Sequence, residues 1–154
     1  MTGKVLQGDL IQLALHGHFD LIIHGCNCQC AMGAGIAKTI KKFLPEAYLA
    51  DQETKKGDEA KMGQYSSALI RRDQVQFTVI NAYTQFHWRG KGVLVDYEAL
   101  RKIFKDLKQD FPKARVGYPK IGAGFAKGDW QKISKIIDEE FAGEDHTLVE
   151  FSDI

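Results

Sequence analysis

A chain of 154 residues that is 44% hydrophobic and 27% charged is expected to fold as one soluble domain, 1–154, whose core needs no crosslinks. Twenty-one Lys and Arg against 20 Asp and Glu leave a net charge of +1, which excludes a bulk electrostatic footprint for nucleic acid or anionic membrane and makes any polyanion recognition local. No apolar run approaches about 18 residues, arguing against a membrane span, and three cysteines crowded at 26, 28 and 30 make no disulfide framework, so a reducing cytoplasm is the expected compartment.

Lys4–Gln7 is a short strand, closed by Gly8-Asp9-Leu10 and followed by a brief helical or irregular segment through Leu15. Phe19–His24 is an apolar run of the kind covered on both faces. From Gly35 the apolar positions Ile36, Ala37, Ile40, Phe43 and Leu44 recur at helical spacing, with Lys38, Lys41 and Lys42 on a solvated face. Pro45 then starts a second helix, where its missing N–H costs little, with Ala47, Tyr48, Leu49 and Ala50 as its apolar side. Lys55–Lys61 reads as a polar loop. Tyr65–Ile70 and Gln76–Ala82 form a hairpin about the charged turn Arg71–Gln74. Thr84–Gly92 is a loop mixing aromatic and basic residues, in which Trp88 stacks a base or anchors the loop and Arg89 and Lys91 are free to hold phosphate. Asp96 caps a helix with the stripe Tyr97, Leu100, Ile103, Phe104, Leu107 and Phe111. Arg115–Pro119 is a strand, Ile121–Gly128 a second small-residue loop, and Asp129 the cap of a last helix striped by Trp130, Ile133, Ile136, Ile137 and Phe141. His146–Phe151 is the final strand.

Strands alternating with helices imply a mainly parallel or mixed sheet between helical layers, with ligands at the carboxyl ends of strands. Two loops there carry the chemistry. Gly33-Ala34-Gly35 leads from a strand into a helix, where small residues let a ligand approach the backbone and the first helical N–H groups suit a phosphate or diphosphate. Gly122-Ala123-Gly124 has the same character. The G-x-G-x-x-G dinucleotide fingerprint and the Gly-Lys-Ser/Thr P-loop ending are both absent. His24-x-Cys26-x-Cys28-x-Cys30 has the wrong spacing for the usual zinc patterns, and no metal is expected. No base or cationic partner for a reactive thiol is assignable. Asn27, placed just past a strand end, either meets ligand hydroxyls or stabilises a turn. His24 is either a general acid–base or a satisfied interior histidine.

Taken together, Gly8-Asp9-Leu10, His24-Gly-Cys-Asn-Cys followed by Met32-Gly-Ala-Gly-Ile-Ala, Asn81-Ala-Tyr-Thr-Gln, Pro119-Lys-Ile-Gly-Ala-Gly and Trp130 make a chain that resembles a macrodomain over nearly its full length. The resemblance implies an α/β three-layer α/β/α sandwich with a mixed sheet, no cofactor, and ADP-ribose or a derivative, including an ADP-ribosylated macromolecule, as partner of a monomer away from membranes. The His24 segment is most similar to yeast-type ADP-ribose-1''-phosphate phosphatases and terminal ADP-ribose hydrolases. By that resemblance Asp9 accepts from the adenine amino group, Leu10 lies beside it and Phe151 covers the adenine face. Asn27 meets the distal ribose. Met32, Gly33, Ala34, Gly35 and Ile36 on one loop, Ile121, Gly122, Ala123, Gly124 and Phe125 on the other, and Thr84 complete the ligand-binding set. The hydrolases carry a lysine where this chain has Thr84 and Gln85, the protein-acting one an aspartate at Ala126, and another group an aspartate at Ala37. The phosphatase type has a histidine at His24. The leading expectation is therefore a 1''-phosphate phosphatase with His24 and Asn27 as its catalytic residues. The rivals are a hydrolase of ADP-ribosylated protein or nucleic acid, with His87 and Asp129 as candidates, and a non-catalytic reader of ADP-ribose.

Overall fold

The computed structural model describes residues 3–152. In chain order the elements are β1 (Lys4–Gly8), α1 (Leu10–Leu15), β2 (Leu21–Asn27), α2 (Gly35–Phe43), α3 (Pro45–Gln52), a single 3₁₀ turn (Glu59–Lys61), β3 (Tyr65–Arg72), β4 (Val75–Gln85), α4 (Tyr97–Asp110), β5 (Arg115–Tyr118), α5 (Trp130–Glu140) and β6 (Asp145–Phe151). The strands form one sheet in the order β1-β6-β5-β2-β4-β3. All neighbours are parallel except the β3–β4 hairpin, so the sheet is mixed. Among the described residues no helix is long and apolar enough to cross a membrane.

Period-two alternation along the strands builds a three-layer sandwich. On β2, Leu21 and Ile23 face a core shared with Leu100, Ile103, Phe104 and Leu107 of α4 and Ile133, Ile136 and Ile137 of α5. Ile22, pointing the other way, joins Leu10, Ile11 and Ala14 of α1, Ile40 of α2 and Ala47 of α3. A strand buried on both faces must be apolar along its length, and β2 is, up to His24. Side-chain caps fix where three helices begin: Asp9 accepts from Gln12 N, Asp96 from Ala99 N and Asp129 from Gln131 N, satisfying N–H groups that a helix leaves unpaired.

The structure departs from the sequence reading in several places. β2 runs on through Asn27 and β4 through Gln85, so Asn27 and Thr84 are strand residues and not loop residues. Phe43 and Leu49, expected on apolar faces, are exposed because α2 and α3 each turn only one side to the sheet. The polar stretch 55–61 contains a buried lysine: Lys61 Nζ donates to Cys28 O (3.1 Å) and Thr54 Oγ1 (2.7 Å) and lies over the Tyr83 ring. Its partners come from residues distant in sequence, which composition does not register.

Candidate functional site

Parallel strands end together, and at the carboxyl ends of β1, β6 and β5 the structure opens a cavity of about 490 Å³. Gly8, Asp9, Leu10 and Ile11 at the end of β1, Val149–Phe151 of β6, Pro119 and Lys120 after β5, and Gly35, Ile36 and Thr39 of α2 line it. Asp9 uses one carboxylate oxygen to cap α1. Phe151 stands at the rim, 77% exposed, a large ring with nothing packed over it in the free protein. Lys120 is the only cation among the lining residues.

The two small-residue turns meet at this end of the molecule. A Cβ added to Gly35 would lie 3.5 Å from the Phe125 ring, so the turn before α2 and the turn after β5 are in van der Waals reach. Gly35 sits at φ +59° and Gly122 at +75°, conformations that favour glycine. A Cβ on Gly122 would also come 2.7 Å from Val95. The second turn is closed on itself by Gly128 N donating to Gly122 O (2.6 Å) and Lys127 N to Gly124 O (3.0 Å). Ala34, at the N-cap of α2, offers no side-chain cap. The first N–H groups of α2 therefore lack an intrahelical partner and lie on the cavity wall, where the helix dipole favours an anion.

Of the expected ligand residues, Asp9, Leu10, Gly35, Ile36 and Phe151 line the cavity. Gly33 and Ala34 are exposed on the first turn, and Gly122, Ala123, Gly124 and Phe125 form the second. Met32 and Ile121 are a correction at the level of side chains. Both are buried, Met32 against Cys28 and Tyr83 and Ile121 in the α4–α5 core, so they hold the turns from beneath. Gly8, Ile11, Thr39, Lys120, Val149 and Glu150 are lining residues that the sequence reading missed. Thr39 lies four residues after Gly35 on α2, a helical spacing that signals a shared face.

Neither His24 nor Asn27 is among the residues that line the cavity. His24 is completely buried on the α3 side of β2, where Nε2 lies 2.6 Å from Asn81 Oδ1. Asn81 Nδ2 donates to Ala47 O and Ser66 Oγ, both at 3.0 Å, which fixes the amide so that Oδ1 accepts from a His24 Nε2–H. Ser66 Oγ lies 2.8 Å from Tyr83 Oη, which donates to Asp51 Oδ1 at 2.7 Å. One run of hydrogen bonds thus leads from His24 to a buried carboxylate. Burial lowers the His24 pKa to about 4, against an opposing pull from Asn81, and so favours the neutral ring. Asn27 spends both ends of its amide locally: Nδ2 donates to Ala31 O (3.0 Å) and Oδ1 accepts from Gln29 N (2.9 Å). It shapes the loop that leads to Gly33. Among the described residues no cluster of His, Cys, Asp or Glu is arranged to hold a metal ion.

Beyond the cavity, towards β4, the loop after Gln85 is stitched to both turns. Cys28 N donates to Phe86 O (3.0 Å), and Leu94 N to Ala126 O (2.8 Å). His87 stacks on the exposed Trp88 and accepts from Arg89 N, while Asp129 is occupied as the α5 cap.

Residues 23–137 match the family model described as Macro domain. The chain is 34% identical over 143 residues to a 17.5 kDa protein of the tk-vs intergenic region of Enterobacteria phage T4, covering 90% of this chain and 89% of that one. It is 30% identical over 133 residues to the ADP-ribose glycohydrolase OARD1 of Bos taurus, covering 82% and 77%. Among solved structures it is similar to the macrodomain of Mycobacterium tuberculosis DarG, with a TM-score of 0.71, 21% identity and 99% of each chain covered.

Proposed function

The chain belongs to the macrodomain family, and on that premise we propose that its cleft binds ADP-ribose and that the protein hydrolyses the bond joining the terminal ribose to its substituent, releasing ADP-ribose. The observation that carries the reading is the meeting of the two glycine turns beside the N-terminus of α2. Bare backbone N–H groups and a helix dipole suit a diphosphate there, and Lys120 adds a charge to the lining of the same cavity. On either side of that point the cavity has the parts for a nucleoside. The Asp9 carboxylate accepts from an exocyclic amine, Leu10 and Ile11 supply an apolar floor, and Phe151 supplies a ring to stack on. The name of the bovine relative supports the hydrolase reading.

The 1''-phosphate monoester and an ADP-ribosyl link to a macromolecule are two substrates of this one class, and both leave ADP-ribose as product. In the first, a water oxygen bonds to phosphorus, the P–O1'' bond breaks and the proton passes to O1''. In the second, water attacks C1'' and the acceptor leaves with the proton. Burial of His24 and its bond to Asn81 weigh against it as the acid of the phosphate reading.

Calorimetric titration with ADP-ribose tests the binding half. Incubation with ADP-ribose-1''-phosphate, an ADP-ribosylated oligonucleotide and an ADP-ribosylated protein, each assayed for released ADP-ribose, tests the catalytic half. Binding in the micromolar range with turnover of one substrate is expected. Binding without turnover would make the protein a reader, and no binding would end the proposal.

A further inference from the structure

We propose that Lys61 is a positioning residue: its buried side chain holds Cys28 and Cys30 in the one backbone conformation that presents the Gly33–Gly35 turn to the cleft. The inference rests on the reading of the cleft given above and adds to it a residue outside the cavity on which its affinity depends.

Lysine is among the residues least often buried, because its ammonium gives up hydration that the interior must replace. Lys61 is only 7% exposed and does not line the cavity. Among the described residues it makes no ion pair; Asp51, the buried carboxylate of this region, takes its hydrogen bond from Tyr83 Oη instead. The three N–H groups of Lys61 meet Thr54 Oγ1 at 2.7 Å, Cys28 O at 3.1 Å and Cys30 Sγ at 3.6 Å, and the nitrogen lies 4.7 Å from the centre of the Tyr83 ring. None of those acceptors needs it. Cys28 O already accepts from Gly57 N at 2.7 Å, Thr54 Oγ1 donates to Asp51 O at 2.6 Å, and Cys30 Sγ donates to the same carbonyl at 3.3 Å. A methionine would occupy the volume and spare the desolvation, so stability alone does not account for a lysine here.

What the contacts have in common is their place in the chain. Cys28 and Cys30 open the segment that runs from the end of β2 to the Gly33 turn, and Lys61 grips both. The grip bears on a strained point. Cys30 has φ +56°, a left-handed conformation that a side chain disfavours, and such a backbone persists only where its surroundings over-determine it. Here Gln52 Nε2 donates to Cys30 O at 2.7 Å, Cys28 N donates to Phe86 O at 3.0 Å, and Lys61 supplies the remaining hold from beneath. Beyond Cys30, Met32 is packed against Cys28 and Tyr83, so a shift at 28–30 passes directly to Gly33. With the pins in place the turn is preorganised. Without Lys61, Cys30 relaxes, only a fraction of molecules present the turn to the diphosphate, and the affinity falls by that fraction.

The test is a pair of titrations, with ADP-ribose and with ADP, on the wild-type chain, Lys61→Met, Cys30→Gly and the double variant, with a thermal melt of each. Lys61→Met is expected to bind both ligands about 10-fold more weakly, since the diphosphate is common to them, and to melt at or above the temperature of wild type. Glycine adopts the left-handed conformation without strain, so in the Cys30→Gly background the same change is expected to cost less than about 3-fold. A lysine with a merely structural role would lose stability along with affinity, and by the same factor in both backgrounds. Should Lys61→Met fail to fold, Gln52→Ala, which removes the other pin on Cys30 from the exposed side, is expected to weaken both ligands about 3-fold. The proposal is overturned if Lys61→Met binds as wild type does, if its loss is as large in Cys30→Gly, or if, with Lys61→Met unfolded, Gln52→Ala leaves both affinities unchanged; the cleft reading stands in each case. If the wild-type chain binds neither ligand, the cleft reading fails and takes this inference with it.

Discussion

The two faces of β2 and β4 at their carboxyl ends are chemically opposite. On the α3 side, His24, Asn81, Tyr83 and Asp51 are polar, buried and fully partnered. On the α4–α5 side, within one residue along each strand, stand Gly25 with no side chain and Thr84 with an unpaired hydroxyl. The first face holds the central strands to α3 and thereby supports the segment from Cys28 to Gly33. The second is left incomplete. Where a protein closes its hydrogen bonds it is building rigidity, and where it leaves one open under a glycine it is keeping a place for something else. An ionisable side chain on the closed face is accordingly a poorer candidate for chemistry than a plain hydroxyl on the open one.

The sharpest way to break this contrast is to open the closed face. Asn81→Ala removes the acceptor of His24 Nε2 and the amide donor to Ala47 O and Ser66 Oγ, and leaves the His24 N–H buried without that acceptor. Denaturant unfolding is expected to show a loss of roughly 3 kcal/mol. A loss below about 1 kcal/mol would mean that the network is incidental to stability.

Acid should act on the same face. With a folded pKa of about 4 against the ordinary 6.5, neutral His24 is favoured by folding. The unfolded chain then binds more protons between those values, so the His24 contribution is complete above about pH 6.5 and is lost as pH falls towards 4. The full shift corresponds to about 3 kcal/mol. His24→Gln retains a donor for Asn81 but does not titrate, so subtracting its stability–pH curve from that of wild type isolates the effect from the carboxylates and from His146, whose pKa burial also lowers. The same variant is expected to bind ADP-ribose within about 2-fold of wild type. A collapse in affinity with stability intact would return His24 to the site.

What the sequence made legible was whatever obeys a local rule. The caps Asp96 and Asp129, the helix stripes, Pro45 at the start of α3 and both glycine turns were readable because each depends on spacing within a few residues. The part that was not legible depends on long-range pairing. Asn27 is different: the sequence leaves a ligand contact and a turn open for it, and its partners Gln29 N and Ala31 O, two and four residues on, are those of the turn. His24 looked reactive because Asn81 is 57 residues away. A bulge on β4 at Thr84 exists only as a mismatch between two strands, so no reading of either strand alone contains it. Lys120 lay inside a quoted motif and still went unread, since its place in the cavity lining depends on elements distant in sequence.

At the cleft itself, Lys120→Ala removes a charge from the cavity lining without removing packing, since the residue is exposed. A contact to the diphosphate of 1.5–3 kcal/mol is about 10-fold or more in affinity. The loss should be shared by ADP and ADP-ribose, which have that group in common, and should shrink as salt is added. A loss confined to ADP-ribose would move Lys120 towards the terminal ribose.

Phe151→Ala is the mildest change and bears on the adenine end of the cleft. The ring is 77% exposed, so little burial is lost and stability should stay within about 0.5 kcal/mol of wild type. Stacking on a purine is of the order of the 0.5–1.5 kcal/mol found for aromatic pairs, or about 2- to 10-fold in affinity. Because adenine is common to both ligands, the loss should again be equal for ADP and ADP-ribose, and Phe151→Trp should recover it. A change at Phe151 thus scales both affinities and preserves their ratio. If Phe151→Ala shifted the ratio, the adenine would not lie at β6.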